Sequence, residues 1–186
     1  MQAQAASVAP VAAENGMVVS AQRLATQVGV DVLKRGGNAV DAAVAVGYAL
    51  AVVYPAAGNL GGGGFMTMQL ADGRKTFLDF REKAPLAASA NVYLDKDGNV
   101  IKGLSTKGHL AVAVPGTVSG MEYARQKYGT MGRAALLQPA IRLAEKGFAL
   151  DQGDVDTFRS ATDDIARDPA SARIFLNQGK AFQVGE

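Results

Sequence analysis

Gly58-Asn59-Leu60-Gly61-Gly62-Gly63-Gly64-Phe65-Met66-Thr67-Met68-Gln69-Leu70 places four consecutive glycines directly before an apolar, β-prone run. Glycine loops that cradle phosphate open a helix. A P-loop would close on Gly-Lys-Ser/Thr, where Phe65-Met66 stand; a dinucleotide fingerprint counted from Gly61 and Gly63 needs glycine where Met66 stands. This run instead enters a strand, and nucleotide binding is set aside. Four glycines lose too much conformational freedom on folding for a casual turn. Between a plain turn and a place where another chain or a ligand comes close to the backbone, close approach is favoured. Asp72-Gly73 then signals a hairpin, with Lys75 to about Arg81 returning as the antiparallel partner.

Upstream of the glycines the periodicity is helical. Leu24, Val28, Val32 and Leu33 share one stripe of a helix over 23–35, which Gly36-Gly37 stops. Asn38 then caps a second helix from Ala39 to about Val53, with Asp41 near the positive end of its dipole. Its all-round apolar surface predicts burial, and its 42–53 stretch is too short to span a bilayer. Met17–Ser20 reads as a short β-like run. Downstream, Asp97-Gly98 predicts a second turn between 92–94 and 100–101, and 111–114 is β-like. Asp95-x-Asp97-x-Asn99 departs from a calcium loop at its sixth and twelfth positions and reads as that turn. Pro115-Gly116-Thr117 opens a helix from Val118 to Tyr128 with Thr117 as its cap. Another helix over 131–146 is expected to break before Pro139, and an exposed amphipathic one over 154–167 to end at Pro169. Helix-helix-strand-strand followed by helices is an α+β order, not a βαβ array.

The chain has 186 residues, with 48% hydrophobic and 19% charged residues, a globular balance sized for one domain. A net charge of +2 gives no footprint for nucleic acid or an anionic membrane. With no cysteine and one histidine, disulfides, thiolate zinc, a cysteine nucleophile and HExxH helices are excluded within this chain. His109 lacks a Gly-x-Ser-x-Gly elbow, since Val118 stands where the serine of Gly116–Gly120 should, and it reads as an ordinary hydrogen-bonding or surface histidine. Met1–Pro10 has neither a basic nor an apolar region, so it is no intact signal peptide. Its small residues look like a stretch around a cleavage site, or simply a flexible tail over 1–15. Gln183–Glu186 shows no helix end or terminal strand, and a fragment is expected.

Asp79-Phe80-Arg81-Glu82 closes the return strand. A guanidinium at a strand end, beside a glycine-rich strand start, offers a planar fork for the α-carboxylate of an amino-acid-like substrate. From spacing alone, a surface arginine paired with Asp79 or Glu82 is the more ordinary reading.

Five stretches, taken together, are more specific. Gly36-Gly37-Asn38-Ala39-Val40-Asp41-Ala42-Ala43, Gly58–Phe65, Asp79-Phe80-Arg81-Glu82-Lys83-Ala84-Pro85, Pro115–Gly120 and Leu137-Gln138-Pro139-Ala140 stand in the order and spacing of γ-glutamyltranspeptidases. From about Gly16 onward the chain resembles the N-terminal part of that family's large subunit. The resemblance implies an N-terminal nucleophile hydrolase fold, an αββα sandwich only partly covered by this chain. It implies a precursor that cleaves itself, and a small subunit whose new N-terminal threonine attacks a γ-glutamyl amide such as glutathione or glutamine. Arg81 matches the arginine that holds the donor α-carboxylate, with Asp79 and Glu82 as supporting residues that orient it. The nucleophile and oxyanion donors fall in the small subunit, so this chain alone is expected to be inactive and to expose apolar sheet surface. No catalytic residue, cofactor or metal is expected in it. A periplasmic or secreted location is expected. The rival readings are a related glutaryl-cephalosporin-type acylase and a non-catalytic assembly module.

Overall fold

The computed structural model describes residues 10–186. The first nine positions of the expected tail lie outside the described residues; 10–15 are exposed and form no helix or strand. The order of elements is α1 (Arg23–Lys34), α2 (Ala39–Val53), β1 (Phe65–Gln69), β2 (Lys75–Asp79), α3 (Thr117–Tyr128), α4 (Arg133–Lys146), α5 (Gln152–Ala166) and α6 (Pro169–Phe175). The class is α+β, as the sequence predicts.

α2 is the centre of the core. Val44, Ala45, Ala49 and Val53 have at most 1% of their surface exposed, and α1, α3 and α4 all pack on it. Two glycines permit close helix packing against it. A Cβ at Gly29 would lie 2.7 Å from both Val18 and Val46, and one at Gly47 would lie 2.6 Å from the Met121 sulfur. The same geometry corrects the β-like reading of Met17–Ser20. That run forms no strand; Val18 is used as a cover laid over Gly29 of α1.

A buried polar knot fixes where α2 begins. Asn38 Oδ1 accepts from the Val40 and Asp41 N–H groups, and Asp41 Oδ2 accepts from the Asn38 N–H, a reciprocal capping box. Asp41 is fully buried. It also accepts from the Thr130 and Met131 N–H groups at 3.0 and 3.1 Å and from the Thr130 hydroxyl at 2.7 Å. One carboxylate thus ties the start of α2 to the α3–α4 connection. Burial alone would push the Asp41 carboxyl up, but the Thr130 hydroxyl and the three N–H groups outweigh it and hold the carboxyl below its ordinary value.

β1 and β2 pair antiparallel, with Phe65 opposite Asp79 and Gln69 opposite Lys75. Met66, Met68 and Leu78 face the helical core. Phe65 and Phe77 stack on the other face with ring centroids 5.7 Å apart, each more than half exposed.

Two other readings are corrected, those at Pro139 and at 111–114, and two hold with additions. α4 runs unbroken through Pro139, whose ring is buried beside Leu136 and Ala140; that packing offsets the backbone hydrogen bond proline cannot donate. Pro169 both follows α5 and opens α6 as its first residue, with Asp168 capping the Ser171 N–H. The turn expected between 92–94 and 100–101 is present, closed through Gly98 at φ +85° and flanked by one bridge, Leu94 with Val100; Val100 is 73% exposed, and two strands without a packing surface are marginal, so no longer ladder forms. The β-like run 111–114 gives a short 3-10 turn, His109–Ala111, then a single bridge between Val114 and Lys83.

Candidate functional site

The segment after β2 is pinned to its neighbours at both ends. The Phe80 N–H donates to Gly64 O at 3.0 Å, and Lys83 exchanges both backbone hydrogen bonds with Val114 at 3.1 and 2.8 Å. Between these points the backbone of 80–82 lies in a cradle of glycines. A Cβ at Gly63 would be 2.6 Å from Phe80 O, 2.7 Å from Glu82 N and 2.8 Å from Arg81 Cα. At Gly116 it would be 2.0 Å from Phe80 O, and at Gly120 2.2 Å from the Phe80 ring. The close approach read from the glycine run is therefore real, and what approaches is the chain's own Phe80–Glu82. Gly116 and Gly120 are four residues apart on one helical face, the spacing that admits a close neighbour. That spacing was the available signal for a role read only as a helix start.

Thr117 corrects the cap reading. It is the first residue of α3 behind Gly116, and no side chain caps that end. Its hydroxyl instead donates to Asn59 Oδ1 at 2.9 Å, while the Gly116 and Thr117 N–H groups both donate to Gly62 O. The open helix end is filled by a carbonyl of the glycine run.

Arg81 is exposed. Among the described residues its guanidinium has neither an ion pair nor a hydrogen bond, although the chain's other ion pairs are plainly formed. Asp79 serves the backbone: its Oδ1 accepts the Arg81 N–H at 2.9 Å and turns the chain out of β2. Glu82 is exposed and pairs with no cation among the described residues. The support expected from Asp79 and Glu82 thus takes a narrower form, with Asp79 holding the Arg81 main chain and neither carboxylate holding its fork.

Two grooves meet at Arg81. One, of about 600 Å³, is lined by Leu78, Phe80, Glu82, Gly116, Ser119 and Tyr123 among others. The other, of about 900 Å³, runs past Gly61, Pro85, Tyr93 and His109. The His109 imidazole makes no hydrogen bond among the described residues, so no relay of nucleophile and base is built on it. Asp95 is engaged by the Asp97 and Asn99 N–H groups at 2.9 Å, the arrangement of a turn. Among the described residues no three His, Cys, Asp or Glu side chains are grouped to hold a metal, and no helix is long and apolar enough to cross a membrane. The free fork at the meeting of two grooves can bind a carboxylate in bidentate fashion.

The sequence pattern of the family described as Gamma-glutamyltranspeptidase matches residues 25–186. The chain belongs to the γ-glutamyltranspeptidase family. It is 74% identical, over 98% of its length, to a glutathione hydrolase proenzyme of Pseudomonas sp. strain A14, and covers 32% of that protein. Identity to the glutathione hydrolase proenzyme of Escherichia coli K12 is 47% over 95% of the chain and 31% of the relative. The fold superposes on Helicobacter pylori γ-glutamyltranspeptidase with a TM-score of 0.92 at 47% identity, covering 96% of this chain and 51% of that one. The chain spans about a third of the length of the curated relatives it matches.

Proposed function

We propose that this chain is the N-terminal part of the large subunit of a γ-glutamyltransferase/hydrolase, and that Arg81 holds the α-carboxylate of the γ-glutamyl donor. The observation that carries the reading is the exposed, unpaired guanidinium at the meeting of two grooves, on a backbone held by four glycines. A surface arginine with no recognition task would pair with the carboxylate of Asp79 or Glu82, both within two residues; among the described residues the Arg81 guanidinium takes neither.

In this reading the fork anchors the carboxylate end of the donor and leaves its γ-amide projecting toward the small subunit. There the N-terminal threonine hydroxyl adds to the amide carbonyl, its proton passing to the threonine's own α-amino group. Collapse expels the amine, which takes up that proton, and leaves a γ-glutamyl ester on threonine. Water releases glutamate from the ester; an amino acid or peptide amine takes the acyl group instead in transfer. The sequence involves no redox step and calls for no cofactor. Glutathione and glutamine are the proposed donors, and the small subunit of the same precursor is the proposed partner. The exposed Phe65–Phe77 face of the hairpin supports a second sheet layer packing there, as in the αββα sandwich of N-terminal nucleophile hydrolases. A periplasmic or secreted location belongs to the same proposal, supported by the small-residue stretch at 1–10.

The test is donor kinetics of Arg81→Ala in the two-subunit enzyme. The expected outcome is weaker binding of a γ-glutamyl anilide by roughly 2–5 kcal/mol, the cost of removing one partner of a desolvated charge pair. Unchanged donor kinetics overturn the assignment. Preference for glutaryl over γ-glutamyl anilide, two donors that differ in the α-amino group, would indicate an acylase instead, and absence of all activity in the assembled enzyme would indicate an assembly module.

A further inference from the structure

The glycines that hold Arg81 are themselves held by two side chains to which the proposed function gives no part. Asn59 Oδ1 accepts twice, from the Gly62 N–H at 2.6 Å and from the Thr117 hydroxyl at 2.9 Å. Its Nδ2 donates to Ala57 O at 2.8 Å, which fixes the orientation of the amide. Thr117 is 7% exposed, and its N–H donates to Gly62 O at 3.0 Å. Gly62 is therefore gripped at its N–H through Asn59 and at its carbonyl by the start of α3. The next residue, Gly63, bears on the Arg81 Cα and the Glu82 N.

A run of four glycines left free would sample many backbone states. The Asn59–Thr117 brace selects one of them, and through Gly63 that state sets the position from which the Arg81 side chain starts. Binding energy that must be realised at a reacting centre is sensitive to displacements on the order of 1 Å in the groups that orient the substrate. The hydroxyl of Thr117 is not used as a cap of its own helix, and a threonine needed only for packing would not require it. We infer that Asn59 and Thr117 are positioning residues for the donor carboxylate, acting through Gly62 and Gly63 on Arg81. This rests on the proposed role of Arg81.

The experiment is a double-mutant cycle between Thr117→Val and Arg81→Ala in the assembled two-subunit enzyme. It is read with γ-glutamyl anilide and with 4-aminobutyryl anilide, the same donor without its α-carboxylate. Thr117→Val is expected to raise the KM for γ-glutamyl anilide about 3- to 10-fold, the scale of one hydrogen bond, and to leave kcat/KM for 4-aminobutyryl anilide unchanged. Thr117→Ser, which keeps the hydroxyl, is expected to recover most of the loss. Added to Arg81→Ala, Thr117→Val is expected to cost almost nothing further on the γ-glutamyl donor. Asn59→Asp, which keeps the shared acceptor, is expected to lie closer to the parent than Asn59→Leu, an independent route should Thr117→Val fold poorly. An equal loss on both anilides, or a full additional loss on the Arg81→Ala background, overturns the brace while leaving Arg81 in place. If Arg81→Ala itself leaves the γ-glutamyl KM unchanged, the proposed function and the brace fall together.

Discussion

Asp41 and Asn59 do similar work in opposite surroundings. Each is a short polar side chain whose oxygens collect hydrogen bonds from segments far apart in sequence: Asp41 from Thr130 and Met131, Asn59 from Thr117. Asp41 is sealed in the core and ties α2 to the α3–α4 connection. Asn59 is exposed and ties a glycine run to the start of α3, one residue from the backbone that carries Arg81. The difference teaches where a polar knot acts. One with no access to solvent contributes chiefly to folding, because each donor left without its acceptor inside the core carries a desolvation cost. One at the rim costs little to break, and its effect falls on the geometry of whatever it braces.

Asp41→Ala is the most damaging way to break the contrast. It leaves the Asn38, Thr130 and Met131 N–H groups without their acceptor. The expected loss is about 3 kcal/mol or more in unfolding free energy, measured by denaturant titration, with no change in the preference between carboxylate-bearing and carboxylate-free donors.

Gly120→Val comes next. Its Cβ would start 2.2 Å from the Phe80 ring, and overpacking of this kind costs about 1–3 kcal/mol. Because Phe80 adjoins Arg81, this variant is expected to lower both thermal stability and affinity for the γ-glutamyl donor. It sharpens the contrast by joining effects that Asp41→Ala keeps apart.

The smallest expected effect is the pH response of Asp41. Its folded pKa lies below the ordinary value of 3.8. Its contribution is therefore fully present above that value and is lost as pH falls through the lower, folded one. Thermal melts of the parent are expected to lose stability as pH falls below about 4. Asp41→Asn is expected to be less stable at neutral pH and to show a shallower acid limb. An identical acid limb in the two proteins contradicts the assignment.

Much of the helical framework was legible because its signals are local. Asn38 and Asp41 mark the start of α2, Gly36 at φ +86° ends the helix before it, and Asp72-Gly73, with Gly73 at φ +84°, sets the hairpin. Pro139 inside α4 was misread, since proline's local cost is outweighed there by burial; Pro169 was read as ending α5, which it does, but its cost is absent at a first helical turn and it also opens α6. At the site, the sequence points to Arg81 and to close approach at the glycines. It could not identify Phe80 as the partner of Gly63, Gly116 and Gly120, nor Asn59 as the partner of Thr117. Those contacts join segments far apart in the chain, and no periodicity records them. Thr117 before a helix reads locally as a cap, and only the fold shows its hydroxyl turned to Asn59.

The most direct measurement of the central claim is the ratio of kcat/KM for γ-glutamyl anilide to that for 4-aminobutyryl anilide, in the parent two-subunit enzyme and in Arg81→Ala. If Arg81 holds the donor carboxylate, the parent ratio is large and collapses toward unity in Arg81→Ala, chiefly through the γ-glutamyl KM. A ratio that survives the loss of Arg81 contradicts the account.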